Sequence, residues 1–304
     1  SASTGNAAGN NTAPAAGTDS RTDGKNETAA GTGRASAGRS DGTLCVSHLS
    51  AGWPGSSDIL RDLTFSARPG QIIGITGTVA SGKSTLGKIL IGEVPYRGSL
   101  TVGGRELRTL RDPERSSLIS YMGHEPELMN DTLAENIRLG ESGDIEPALR
   151  AVCLDEEVQE MPRGSETLLG SGGIRLSGGQ QARAALARTI FNARSILVLD
   201  DPFSAVDQAT EAAALDNLRL LCRDRIILLI SHRLYQFPTF DRVLFLTGGS
   251  GIFTTHEELM RTCPDYARLY EEQKKGTAAA GTADSPQTAP DGSPAAAPER
   301  GCLS

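Results

Sequence analysis

The sequence predicts an α/β fold built on a mainly parallel sheet, and three observations predict it. Residues 196–199 and 226–230 are continuous apolar runs, Ile-Leu-Val-Leu and Ile-Ile-Leu-Leu-Ile, the pattern of strands buried on both faces. A glycine-rich loop joins an apolar strand at 71–76 to a helical stretch reaching about Ile91. Strand and helix signals alternate along the chain, an order that lays strands side by side with helices as crossovers.

Taken in order, residues 44–49 and 58–67 read as short strands, and Pro69-Gly70 is a turn signal. Residues 99–102 form a strand ended by Gly103-Gly104, and Thr132-Leu133-Ala134-Glu135 is a capping box that opens a helix. Residues 180–191, rich in alanine and arginine, read as a further helix. Residues 1–42 and 276–304 are Ala, Gly, Ser and Thr with scattered charge and no apolar period. Such segments bury too little surface to offset ordering entropy, so both are expected to be disordered, leaving a folded unit at 43–275.

The 304 residues give room for one large domain. Thirty basic against 37 acidic side chains leave a net charge of -7, which argues against a nucleic-acid partner, where a basic excess is expected. Five cysteines at 45, 153, 222, 263 and 302 contain no CxxC pair, the usage of reduced cytosolic thiols. No stretch approaches the ~20 apolar residues of a membrane helix. The chain opens on Ser1 without a signal peptide, as a piece of a longer polypeptide would.

Gly77-Thr78-Val79-Ala80-Ser81-Gly82-Lys83-Ser84 matches GxxxxGK[ST] at every fixed position, and Thr85 continues it into a helix. The preceding strand and following helix are the context this phosphate-binding loop requires. Glycines let backbone N–H groups turn inward around phosphates, and a helix N-terminus adds partial positive charge. Lys83 is expected to reach the β- and γ-phosphates of ATP, and the Ser84 hydroxyl to ligate Mg²⁺. Ser195-Ile-Leu-Val-Leu-Asp200 supplies a carboxylate, Asp200, at the end of a second apolar strand, where it would hold Mg²⁺ through water.

Leu176-Ser177-Gly178-Gly179-Gln180 ends 20 residues before Asp200. This run resembles the signature of ATP-binding-cassette (ABC) transporter nucleotide-binding domains, and the motif order agrees over 43–275. The resemblance implies a P-loop NTPase (RecA-like) core with an antiparallel β subdomain and an α-helical subdomain at about 125–185. It also implies that two such domains stack head to tail, each ATP lying between one domain's phosphate loop and the other's signature. Ser177, Gly178 and Gly179 would then offer a hydroxyl and N–H groups to a partner's γ-phosphate; the plainer alternative is a helix cap at Ser177.

Other roles carry over by motif. Trp53, 30 residues before Lys83, stands where the family places an aromatic that stacks on adenine; a half-buried core tryptophan is the alternative. Ser204-Ala205-Val206-Asp207 resembles the loop at the dimer interface, and His232 resembles the histidine that contacts the γ-phosphate. Two departures matter more. Asp201 stands where the family usually has the Glu that polarises the attacking water, and its carboxylate is one methylene shorter. His124, in Tyr121-Met-Gly-His124-Glu-Pro, stands where Gln is usual; neutral imidazole is a poor ligand for Mg²⁺, and the alternative is a hydrogen bond donated to phosphate or water. A smaller departure is Ala80 where many members have Gly, tolerable if its φ is negative.

The chain's own ATP site is therefore expected to be impaired while its signature stays intact. That is the pattern of one half of heterodimeric exporters and of the multidrug-resistance-associated branch. A hetero-partner domain is expected, the alternative being a slow homodimer. Asp131-Thr-Leu-Ala-Glu-Asn136-Ile, Thr167-Leu-Leu-Gly170 and Thr255-His-Glu-Glu-Leu259 followed by Tyr266 and Tyr270 resemble exporter segments. The implied protein powers export from the cytoplasmic face of a membrane, with transmembrane domains elsewhere on the same polypeptide or on another chain. A noncatalytic domain that gates a channel or receptor fits Asp201 as well. A soluble cassette protein of translation or DNA repair fits less, because neither a second cassette nor a coiled-coil insertion is present.

Overall fold

The computed structural model describes residues 42–281. The expected disordered segments otherwise lie outside them, as does Cys302, and the other four cysteines are free thiols. Strands β1 (Leu44–Ala51), β2 (Leu60–Ala67), β4 (Tyr96–Val102) and β5 (Arg105–Glu106) form an antiparallel sheet in the order β2-β1-β4-β5. A six-stranded sheet has the order β10-β9-β3-β8-β7-β6. Its strands β3 (Ile72–Gly77), β6 (Ile119–Met122), β7 (Ile196–Asp200), β8 (Ile226–Ile230) and β9 (Arg242–Thr247) are parallel. Strand β10 (Ser250–Thr254) closes the edge as an antiparallel hairpin with β9.

Every residue of β3, β7 and β8 is buried, and their alternation divides two cores. Leu197, Leu199, Ile227, Leu229, Val243 and Phe245 face one side, with the helices α3 (Leu133–Arg138), α4 (Glu146–Ala151) and α6 (Gly178–Phe191). Ile196, Val198, Leu228, Ile230, Leu244 and Leu246 face the other, where α1 (Lys83–Leu90) packs Leu86, Ile89 and Leu90 under the antiparallel sheet. The short helix α5 (Asp155–Gln159) sits between α4 and α6 in the chain, inside the expected helical subdomain.

Several sequence expectations shift. The second strand begins at Leu60, not 58, and the first runs on to Ala51 past a register shift. At Thr132 only half of the capping box forms: its hydroxyl accepts from the Glu135 N–H at 3.1 Å, while its own N–H goes to Asp131 Oδ1 at 2.7 Å. After α2 (Asp112–Ser116), α7 (Gln208–Leu221) and α8 (His256–Thr262), the last helix, α9 (Pro264–Gly281), continues past the boundary expected at 275. No helix among the described residues is long and apolar enough to cross a membrane.

Candidate functional site

Parallel strands bring their carboxyl ends to one edge, and the expected site residues follow those ends. The loop 77–82 leaves β3, His124 follows β6, Asp200 and Asp201 end and follow β7, and His232 follows β8. This edge is where ligands bind in open α/β sheets.

The loop is shaped by its glycines. Gly77 has φ 154°, and a Cβ there would lie 2.0 Å from the Leu246 carbonyl oxygen and 2.8 Å from Ser81 Oγ. Only glycine fits that approach. Gly82 has φ 97° and caps α1 without a side chain, leaving the first N–H groups of the helix pointing into the loop. The buried Ser81 hydroxyl has no hydrogen-bond partner among the described residues. Ala80 has φ 61°, contrary to the negative value on which its tolerance rested. It is strained by roughly 1–2 kcal/mol, in a loop whose tip, Thr78, Val79 and Ala80, is exposed.

The buried Lys83 ammonium donates to the carbonyls of Gly77 at 3.1 Å and Thr78 at 2.9 Å. Two of its three hydrogens are thus used, and one is left for a phosphate oxygen. Burial pushes its pKa down, against the charges of Asp200 and Asp201. The Ser84 hydroxyl faces the Asp200 carboxylate. Burial pushes the Asp200 carboxyl up, and Ser84, His124 and His232 only partly offset it. A cation between these oxygens would reverse that imbalance. Among the described residues no cluster of three or more His, Cys, Asp and Glu is placed to hold a metal alone. Two protein oxygens completed by nucleotide phosphates and water is the kind of set that suits Mg²⁺. The loop's orphaned hydroxyl, its glycine cradle and this oxygen pair fit ATP with Mg²⁺.

Asp201 is buried, donates its N–H to the Ile230 carbonyl at 2.8 Å and has φ 53°, a left-handed conformation that Asp tolerates better than most residues. His124 Nδ1 lies 3.8 Å from Asp201 Oδ2. The two departures from the family pattern therefore face each other. They line a cavity of about 330 Å³ with Gly178, Gln181 and Ser204. His232 is exposed, its carbonyl accepting from Gln273 at 2.7 Å. Trp53 is 40 % exposed, with the Lys88 ammonium 5.2 Å from its ring centroid, and belongs to neither core cluster.

The signature caps α6. Ser177 Oγ accepts from the Gln180 N–H at 3.2 Å, and Gln180 Oε1 accepts from the Ser177 N–H at 2.8 Å. The cap weighed as an alternative is thus real, and it leaves the Ser177 hydroxyl hydrogen free to donate. Neither the Gly178 nor the Gly179 N–H has an acceptor among the described residues. A Cβ on Gly179 would lie 2.8 Å from the Ala205 carbonyl oxygen, so the signature turn packs on the loop 204–207. Asp207 ends that loop by capping α7, accepting from Ala209 and Thr210. Among the described residues no hydrogen bond or ion pair joins 177–180 to 77–85.

Sequence reasoning missed a half-buried knot beneath that loop. Arg233 donates to the carbonyls of Val206 at 2.6 Å and Ser204 at 3.0 Å and to Glu211 at 3.2 Å, and Tyr235 also donates to Glu211. Glu211 is 2 % exposed, and the signal was its position on the inner face of α7, one turn after the capping Asp207.

Among known proteins, residues 60–204 match the ABC transporter family. The chain belongs to that family, as a nucleotide-binding domain. It is 34 % identical over 249 residues to a probable multidrug resistance ABC transporter ATP-binding/permease protein of Bacillus subtilis (strain 168), covering 80 % of this chain and 43 % of that protein. It is 36 % identical over 243 residues to an ATP-dependent lipid A-core flippase of Burkholderia pseudomallei (strain K96243), covering 77 % and 41 %. A bacterial Atm1-family ABC exporter with ATP bound superposes with a TM-score of 0.72 at 26 % identity, covering 77 % of this chain and 42 % of that one. The chain thus spans less than half the length of these relatives. Membership makes it an ABC-type ATPase domain, with ATP and Mg²⁺ as the cofactors that the family implies.

Proposed function

We propose that this domain powers an exporter by holding MgATP at 77–85 and lending its signature to a second nucleotide-binding domain. When bound, MgATP supplies a phosphoryl bond whose cleavage drives the cycle. Lys83, Ser81 and the loop N–H groups hold its phosphates, Ser84 and Asp200 hold the metal, and Trp53 stacks on the base. His232 contacts the γ-phosphate, and Asp201 orients the attacking water. The shorter Asp201 carboxylate makes hydrolysis at this domain's own site slow, since a displacement on the order of 1 Å costs about a hundredfold.

The observation that carries the reading is the signature turn. Its oxygen acceptors are used within the turn, while the Ser177 hydroxyl hydrogen and the Gly178 and Gly179 N–H groups have no acceptor among the described residues. Three donors at a helix N-terminus suit an anion, and head-to-tail pairing would bring a partner's γ-phosphate to them. An intact signature beside a weakened own site favours an unequal partner over a second copy. The transmembrane domains would lie on the remaining polypeptide or a separate chain, placing this domain on the cytoplasmic face.

The test is ATP turnover by the full-length complex. Turnover that collapses on disabling the partner's site, yet persists at reduced level in Asp201→Asn, supports the unequal pump. A complex that binds ATP and never turns it over supports a regulatory domain instead.

A further inference from the structure

Glu157 carries a contact that the nucleotide chemistry above does not use. It lies on α5, and its Oε2 accepts from Gln180 Nε2 at 2.7 Å. Its Oε1 lies 2.6 Å from the Arg183 guanidinium, which also donates to the Cys153 carbonyl at 2.6 Å. Gln180 and Arg183 are three apart on α6 and so share a face. One carboxylate thus grips the signature glutamine and the next turn of its helix.

A carboxylate only accepts hydrogen bonds. Facing Glu157, the Gln180 amide must present its NH₂ group and turn its oxygen the other way. That oxygen meets the Ser177 N–H at 2.8 Å. The Gln180 backbone N–H meanwhile occupies the Ser177 oxygen, so the serine hydrogen points away from the turn. An amide flipped by half a turn would set NH₂ against the Ser177 N–H and break the box. Burial works to raise the Glu157 pKa, but the bonds from Gln180 and Arg183 and the arginine charge outweigh it and hold the carboxyl below the ordinary range.

Resting on the signature role proposed above, we infer that Glu157 is a positioning residue for the signature turn. It fixes the Gln180 amide so that Ser177, Gly178 and Gly179 present their donors to a partner domain's nucleotide. The rival is an ordinary ion pair that only braces α5 on α6. A brace alone would join the two helices whichever way the Gln180 amide faced, and would not govern the donors.

The experiment measures steady-state ATP turnover against MgATP concentration in the full-length protein, with nucleotide-free Tm in parallel, for Glu157→Ala, Glu157→Gln, Ser177→Ala and Glu157→Ala/Ser177→Ala. Loss of one net hydrogen bond's orientation is expected to raise KM for MgATP by about 3–10-fold in Glu157→Ala, with kcat changed less. Glu157→Gln, which keeps an acceptor, is expected to fall between, and it carries the test if the alanine variant is unstable. The double variant is expected to be no worse than Ser177→Ala alone, as for residues acting through one contact. Wild-type KM in both Glu157 variants, or full additivity with Ser177→Ala, overturns the inference and leaves the signature role standing. Unchanged KM and kcat in Ser177→Ala itself overturns the signature role, and the inference with it.

Discussion

At the scale of single residues, the site holds its charges in a buried place, and the role proposed for Asp201 turns on the reach of its carboxylate. Asp201 and His124 are 3.8 Å apart, so a change at either alters the other's surroundings. Asp201→Glu extends the carboxylate by one methylene and is expected to raise own-site hydrolysis on the order of tenfold or more. The measurement is phosphate release with the partner's site disabled; no gain would place the block at His124 or in the partner's signature. Adding His124→Gln is expected to change the rate non-additively, because the two side chains share one cavity. Lys83 argues the binding side. Replacing it by alanine removes a charge-assisted donor, worth about 1.5–3 kcal/mol to a phosphate, and is expected to weaken ATP roughly 10–100-fold in equilibrium binding. Unchanged affinity would sink the assignment of 77–85.

At the scale of elements, the knot of Arg233, Glu211 and Tyr235 ties α7 and the segment after β8 to the loop 204–207. Glu211→Ala leaves Arg233 without its carboxylate. Because Arg233 is one-third exposed, water recovers part of the loss, and the expected cost is about 2 kcal/mol, below the 3–5 of a fully buried pair. A shift of denaturant midpoint with unchanged slope checks it. Legibility followed the same physics. Strands β7 and β8 were plain because burial on both faces demands unbroken apolar runs, and the loop after β3 was plain because its glycines answer to φ and clearance. Val243–Leu246 of β9 carries as strong an apolar signal and could have been read. Glu157 could not, since it sits in Asp155-Glu-Glu157, and an acidic run reads as solvated surface until a fold sets Gln180 against it. Nor could the positive φ of Ala80, Asp201, His48 and Asp62 be read, since it depends on partners distant in sequence.

At the scale of the whole molecule, the proposed function divides a nucleotide site into two halves, the phosphate loop and the signature. The phosphate loop emerges at the carboxyl edge of the six-stranded sheet, whereas the signature caps α6 and leans on the loop 204–207. No hydrogen bond joins them among the described residues, and on the proposed reading the donors of Ser177, Gly178 and Gly179 take their acceptor from another chain's nucleotide. Their contribution to association should therefore depend on the γ-phosphate. In sedimentation velocity the domain is expected to run as a monomer without nucleotide and with ADP. It is expected to associate with its partner domain when ATP is present and hydrolysis is slow. Ser177→Ala is expected to weaken that association without lowering ATP binding at 77–85, whereas Lys83→Ala lowers both. A dimer equally stable without nucleotide would mean that the interface is held by surface outside both motifs, and that ATP does not do the joining.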